Sequence, residues 1–228
     1  MITLYHCSDA RSFRPLWMLE ELGIAYDLKV LPFPPRVLAK DYLAQNPLGT
    51  IPLLVDGNTH MTESAAICEY LATVYGPTPL AVTPDEPAFG AYLNWLHLGE
   101  ATLTFPQAIV LRYSQYEPEH RLQPQVVTDY ARWFLGRLRA VDSALSQNET
   151  LCAGRFTAAD ISVGYACLLA EIVGFAGQFS PAIQQYLRRI KARAPFQRAL
   201  AAEQAGAAQL QAPGVRAHAI DMNAVLKS

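Results

Sequence analysis

The chain has 228 residues, 51% of them apolar and 17% charged, with a formal net charge of −2. That composition describes a soluble globular protein with a real core, sized for one large domain or two small ones, and offers no electrostatic footing for nucleic acid. Polar residues arrive too early in Met-Ile-Thr-Leu-Tyr-His-Cys-Ser-Asp for a signal peptide, and no apolar run approaches the roughly 20 residues that span a bilayer. A cytoplasmic location is therefore expected, with no membrane or nucleic-acid partner.

Alternating strand and helix is predicted first. Ile2 to Tyr5 reads as a short strand, Ser12 to Leu22 as a helix with Pro15, Met18, Leu19 and Leu22 on one face and Gly23 at its end, and Tyr26 to Leu31 as a second strand. Pro32-Phe-Pro-Pro-Arg36 excludes regular helix, so a loop is expected there, followed by a short helical turn near Ala39 to Ala44. Ile51 to Val55 and Thr59 to Met61 flank Asp56-Gly57-Asn58, a hairpin turn by composition. A helix over Ser64 to Val74 closes a first domain of residues 1–76.

A proline-rich linker over residues 77–86 ends that domain, and residues 87–203 read as helical throughout. Glu86 to Tyr113 is one long stretch with a bend expected at Pro106. Val127, Tyr130, Ala131, Phe134, Leu138, Val141 and Leu145 keep helical spacing across the next. Shorter helices are predicted over Ala158 to Val173, Pro181 to Arg193 and Pro195 to Ala202. The tail, 204–228, is rich in Ala and Gln, and its sequence leaves helix, drape and disorder open. Phe156-Thr-Ala-Ala-Asp-Ile161 carries a capping box, Thr157 with Asp160, and a staple of Phe156 on Ile161. Asp160→Ala is expected to cost about 1 to 2 kcal/mol of folding rather than chemistry.

The functional signal lies in Asn46-Pro-Leu-Gly-Thr-Ile-Pro-Leu-Leu-Val55 and in Met61-Thr-Glu-Ser-Ala-Ala-Ile67. A cis Ile51-Pro52 bond would turn the chain and leave the Ile51 N–H and C=O outward, ready to pair with an extended ligand as an added strand would. Ser64 opens the next helix, so its hydroxyl and the free first-turn N–H groups suit a carboxylate, while Glu63 beside it can accept from an ammonium. A ligand with a carboxylate, an amine and a peptide unit in sequence fits these features.

With these residues in view, Met1 to Tyr75 resembles the amino-terminal domain of the cytosolic glutathione transferase family from end to end. Asn46 to Pro52 and Thr62 to Ala65 match its two glutathione-binding signatures. The Thr157–Asp160 box resembles the one the family carries at the start of its sixth helix, so the likeness reaches both domains. It implies an α/β plus all-α fold: a thioredoxin-like domain of βαβ-ββα order, followed by an all-helical domain. It further implies glutathione as co-substrate, held by Ile51, Pro52, Glu63 and Ser64, a homodimer, and Glu100 reaching the glutathione amine in the partner subunit. The second substrate would be a small hydrophobic electrophile in a pocket between the domains, with Trp95, Phe105, Leu111 and Tyr113 as candidate lining.

The implied chemistry is thiolate activation. A free thiol with a pKa of about 8.5 is a few per cent ionised at neutral pH, and lowering that value by about 2 units stabilises the anion by roughly 2.7 kcal/mol. Tyr5, Ser8 and Ser12 are the candidate hydroxyl donors, with Arg11 as a nearby cation, and Tyr5 matches the catalytic phenol of the tyrosine-type members. Cys7, Cys68, Cys152 and Cys167 lack Cys-x-x-Cys or metal-ligand spacing, so no metal and no dithiol cycle are expected; Cys7 is tracked as a strand-end thiol. The family's Ser or Cys position holds Asp9, which when ionised cannot donate and repels a thiolate. Three activities remain: conjugation, glutathione-dependent isomerisation or peroxide reduction in the same site, and glutathione binding without efficient turnover, which Asp9 favours. The Ser-Ser-Cys of maleylacetoacetate isomerase is absent near Ser8.

Overall fold

Residue alternation along the first strand, β1 (Ile2–His6), sends Ile2, Leu4 and His6 into buried surroundings while Thr3 and Tyr5 face the other side of the sheet. The computed structural model describes residues 1–212 and 214–227. The chain divides into two units, one of Met1–Ala81 with Lys191–Arg216, the other of Val82–Ile190 with the residues from Ala217 onward.

In the first unit, β1 is followed by α1 (Phe13–Leu22), β2 (Tyr26–Val30), α2 (Pro35–Leu38), a 3-10 turn at Lys40–Ala44, β3 (Leu53–Asp56), β4 (Thr59–Met61) and α3 (Ser64–Val74). The sheet order is β2-β1-β3-β4. β1 runs parallel to β2, with Leu4 opposite Leu28, and antiparallel to β3, with Tyr5 opposite Leu53. β4 pairs antiparallel to β3, so the order is the expected βαβ followed by ββα. β3 begins only at Leu53, since Pro52 has no N–H to give a ladder. A short helix occupies Pro35–Leu38, where a loop was expected: Pro35 stands in the first turn, where its missing N–H is not needed, so the proline run starts a turn rather than forbidding one.

α9 (Ala194–Ala208) belongs to this unit, although its sequence reads with the helical domain. Phe196 packs edge-on against Trp17 at 5.0 Å and against Phe13 at 5.6 Å between ring centroids. Arg193 makes a two-pronged pair with Glu21 at 2.6 and 2.7 Å, and Arg198 donates to Glu20 at 2.7 Å. Aromatic packing flanked by ion pairs therefore seats α9 on α1. Tertiary packing decides this membership, and helical periodicity is silent about it.

The second unit is helical: α4 (Phe89–His97), α5 (Phe105–Leu111), α6 (Pro124–Leu145), α7 (Ala158–Val173), α8 (Pro181–Lys191, whose last residue groups with the first unit) and α10 (Met222–Lys227). The predicted long stretch is present from Phe89 onward, with π-helical turns at Leu98–Thr104 and Arg112–Tyr116. Pro106, which has no N–H to give the ladder, falls in the first turn of α5, directly after the first widened segment. The Thr104 hydroxyl donates to the Gly99 carbonyl at 2.7 Å within that segment. α7 is the central helix, buried at nearly every position from Ala158 to Ala170, as its continuous apolar run requires.

The capping box is present as predicted: the Thr157 N–H donates to Asp160 Oδ2 at 2.9 Å. Asp160 does more than cap. It also accepts from the Leu151 N–H at 3.1 Å and from the Tyr186 hydroxyl at 3.2 Å, fully buried.

Candidate functional site

Three segments of the first unit meet at the carboxyl end of β1. The turn from Cys7 to Ser12 leads from β1 into α1. Extending the β1–β3 register beyond Tyr5 opposite Leu53 brings Pro52 and Ile51 alongside His6 and that turn. The start of α3 is tied to α1 directly, because Arg14 in the first turn of α1 donates to Ser64 Oγ at 3.2 Å. Arg14 is fully buried. The first-turn N–H groups of α3, which have no intrahelical acceptor, suit an anion at this corner.

The segment before β3 is braced by Asn46. Its amide donates to the Thr50 carbonyl at 2.8 Å, its Oδ1 accepts from the Leu48 N–H at 3.1 Å, and the Tyr42 hydroxyl adds a bond to the same Thr50 carbonyl at 2.7 Å. Gly49 has φ +60, and a Cβ there would run into Arg36, so the turn admits only glycine. The Ile51-Pro52 bond is cis, as predicted. Pro52 and Ser64 are buried, Ile51 is half-buried, and Glu63, in extended conformation before α3, is exposed.

Among the candidate donors the structure separates roles. Ser12 Oγ accepts from the Cys7 N–H at 3.2 Å and lies 3.4 Å from the Cys7 carbonyl, so it holds the turn closed. Burial pushes the Cys7 thiol up to about 12, so it stays protonated and inert. Ser8 and Arg11 are half-buried on the turn itself. Tyr5 faces the opposite side of the sheet from His6, with its ring 5.2 Å from that of Tyr42, on an open cleft of about 570 Å³ that Leu31, Val37, Lys40 and Gln45 also line. Glu100 is half-buried on the π-helical segment of the other unit, where Leu111 is in the core and Phe105 is exposed against Tyr130.

Asp9 and two residues that the sequence does not point to, Glu203 and Arg216, shape the same turn. Asp9 adopts φ 59, a left-handed conformation. Its N–H donates at 3.2 Å to Glu203 of α9, which also lies 2.8 Å from His6 Nε2 in a buried pair. The Asp9 carboxylate accepts from Arg216 Nε at 2.8 Å and Nη2 at 2.5 Å. Burial raises the Asp9 carboxyl above its ordinary value, Arg216 draws it back, and nearby Glu203 adds to the rise. Arg14 was legible as the charged residue inside the apolar run Phe13–Leu19; Glu203 and Arg216 lie almost 200 residues and more from their partners and leave no local sign.

Comparison with known proteins agrees with this frame. Residues 10–74 match the family model for the glutathione S-transferase N-terminal domain. The chain is 29% identical over 184 residues to glutathione S-transferase 3 of Schizosaccharomyces pombe, covering 75% of each chain. It is 30% identical over 169 residues to a glutathione S-transferase of Arabidopsis thaliana, covering 71% of this chain and 77% of that one. A glutathione transferase of Phanerochaete chrysosporium, solved in complex with oxidized glutathione, superposes with a TM-score of 0.78 at 26% identity, over 90% of this chain and 97% of that one. A four-stranded β2-β1-β3-β4 sheet unit, a helical unit and these relatives together place the chain in the glutathione S-transferase family.

Proposed function

We propose that this chain binds glutathione at the corner between the β1–α1 turn, Ile51-Pro52 and the start of α3, and joins its sulfur to a small, largely apolar electrophile. The observation that carries the reading is the N-terminus of α3, where the buried Arg14 guanidinium holds the Ser64 hydroxyl beside the cis Ile51-Pro52 bond. Ser64 and the first-turn amides would take the γ-glutamyl carboxylate, Glu63 its ammonium, and Ile51 the peptide backbone. In the reaction the thiol gives its proton to solvent, a sulfur lone pair forms the new C–S bond, and the leaving group departs with its electron pair. Isomerisation and peroxide reduction begin from the same thiolate and share the site. A homodimer, with Glu100 directed at glutathione in the partner subunit, and a cytoplasmic location belong to the same proposal. No helix among the described residues is long and apolar enough to cross a membrane.

With Ser12 and Cys7 committed to the turn, Ser8 and Tyr5 are the remaining hydroxyls for the thiolate, with Arg11 as the cation on the same turn. Ser8 lies on the turn itself, whereas Tyr5 sits against Tyr42 with its ring tilted by 40°. Ser8→Ala is expected to lower kcat/KM with a standard aromatic electrophile by about tenfold to a hundredfold, and Tyr5→Phe by less than about fivefold. The reverse ranking would make Tyr5 the donor. Equal, near wild-type rates for both would leave activation to the backbone and Arg11.

A second reading, glutathione binding without efficient turnover, is favoured by Asp9 alone. Steady-state kinetics separate the two: tight glutathione binding with conjugation no faster than the uncatalysed reaction would establish the second.

A further inference from the structure

The C-terminal segment of the first unit reaches the β1–α1 turn at two points and the loop after β2 between them. Glu203 accepts the Asp9 N–H and pairs with His6 beneath the turn. Gly214 and Val215 lie along the loop after β2, where the Val215 N–H donates to the Phe33 carbonyl at 2.9 Å and Gly214 forms a parallel bridge with Phe33. Gly214 has φ +82, and a Cβ there would strike the Phe33 carbonyl oxygen, so close approach of the segment depends on glycine. Arg216 then closes on Asp9 with two N–H groups on one carboxylate oxygen.

This arrangement answers the chemical objection that Asp9 raises. An uncompensated carboxylate several ångströms from a thiol raises the thiol's pKa by on the order of one unit. A guanidinium fixed on that carboxylate cancels most of its field. We propose that Arg216 is a positioning residue of the thiol site: it holds and neutralises the Asp9 carboxylate, so that a turn carrying an acid where the family carries a donor still tolerates a thiolate. The inference rests on the glutathione-binding reading above. The other titratable or charged groups at this turn are Glu203 from α9, His6 from β1 and Arg11 within the turn; the Cys7 thiol is neutral through burial. Glu203 and His6 form a pair of their own at 2.8 Å, and Arg216 is a cation set directly on Asp9.

The test is a charge cycle read as a pH profile. Wild type, Arg216→Gln, Asp9→Asn and the double variant are compared for kcat/KM toward glutathione across pH and for the pKa of the bound glutathione thiol by ultraviolet absorbance. The Arg216 side chain is 49% exposed, so melting temperatures serve as the control for folding. Arg216→Gln is expected to move the acid limb and the bound-thiol pKa up by about one unit, with about tenfold lower kcat/KM at pH values below the wild-type bound-thiol pKa. Adding Asp9→Asn is expected to restore both to within about threefold, because the offending charge is gone. An Arg216→Gln profile that overlays wild type overturns the inference. So does a double variant as impaired as Arg216→Gln alone, which would mean that Arg216 acts in some way other than on Asp9. Wild type failing to bind glutathione is a different result: it removes the functional reading and this inference with it, and is visible before any variant is made.

Discussion

Phe196→Ala is expected to destabilise the protein by about 3 to 5 kcal/mol, the largest effect of any single substitution considered, lowering the melting temperature by on the order of 10 °C. The reason is geometric. Phe196 is 5% exposed and fills the space between Phe13 and Trp17 with two edge-on ring contacts, so its removal leaves a cavity whose rigid aromatic walls cannot collapse. The flanking pairs of Arg193 with Glu21 and Arg198 with Glu20 are part-exposed and add little by comparison. A functional consequence follows at once. α9 carries Glu203, which holds the Asp9 N–H, so a loosened α9 frees the β1–α1 turn. Glutathione KM is therefore expected to rise at temperatures well below the melting transition. Phe196→Leu, which keeps most of the volume, should retain most of the stability and of the affinity. Denaturant midpoints and KM measured on the same preparations check both parts; stability lost with KM unchanged would separate α9 from the site.

Asp160→Ala is expected to cost about 3 kcal/mol or more, above the 1 to 2 kcal/mol that a cap alone suggests. The excess comes from the partners left behind. The Leu151 and Thr157 N–H groups donate to this carboxylate in the interior and lose their acceptor, while the Tyr186 hydroxyl keeps only the Asp160 carbonyl, at 3.1 Å. The effect also depends on pH with a definite sign. Burial raises the Asp160 carboxyl to about 6 in the folded protein, from an ordinary value of 3.8, outweighing the hydrogen bonds that pull it down. The folded state then binds more protons than the unfolded one between these two values, so this group's contribution to stability falls as pH rises through that window. The gap between wild type and Asp160→Ala should be widest near the lower end and narrow toward neutral pH. Paired denaturation curves across that range test it, and a gap that widens with rising pH would reverse the assignment. Glutathione KM should stay near wild type, since Asp160 lies in the helical unit.

How much was readable in the chain differs by element. The helix from Ser64 to Val74 and that from Ala158 to Val173 match their predicted bounds, because each opens on an unambiguous start signal and carries a long apolar run. The Asn46 to Pro52 loop announced itself through residue types with few alternative uses, and the structure gives Asn46 the bracing bonds that such a loop needs. Pro35 departs from the loop expected of a proline run, because a proline in the first turn can start a helix. The membership of α9 was not legible at all: its apolar positions say that a face is buried but not against what. The same limit applies to Glu203 and Arg216, whose roles exist only through contacts nearly the length of the chain apart. Ser12 shows the converse, a hydroxyl in the right place whose hydrogen-bonding capacity is already spent on Cys7.

On the proposed function, this corner of the first unit lowers the pKa of a bound glutathione thiol. That lowering is tested most directly by titrating the wild-type protein with glutathione and following thiolate absorbance as pH is varied. A bound-thiol pKa about 2 units below the free value, accompanied by saturable binding, is the expected result. Saturable binding with the free value unchanged would contradict it and leave a protein that holds glutathione without activating it.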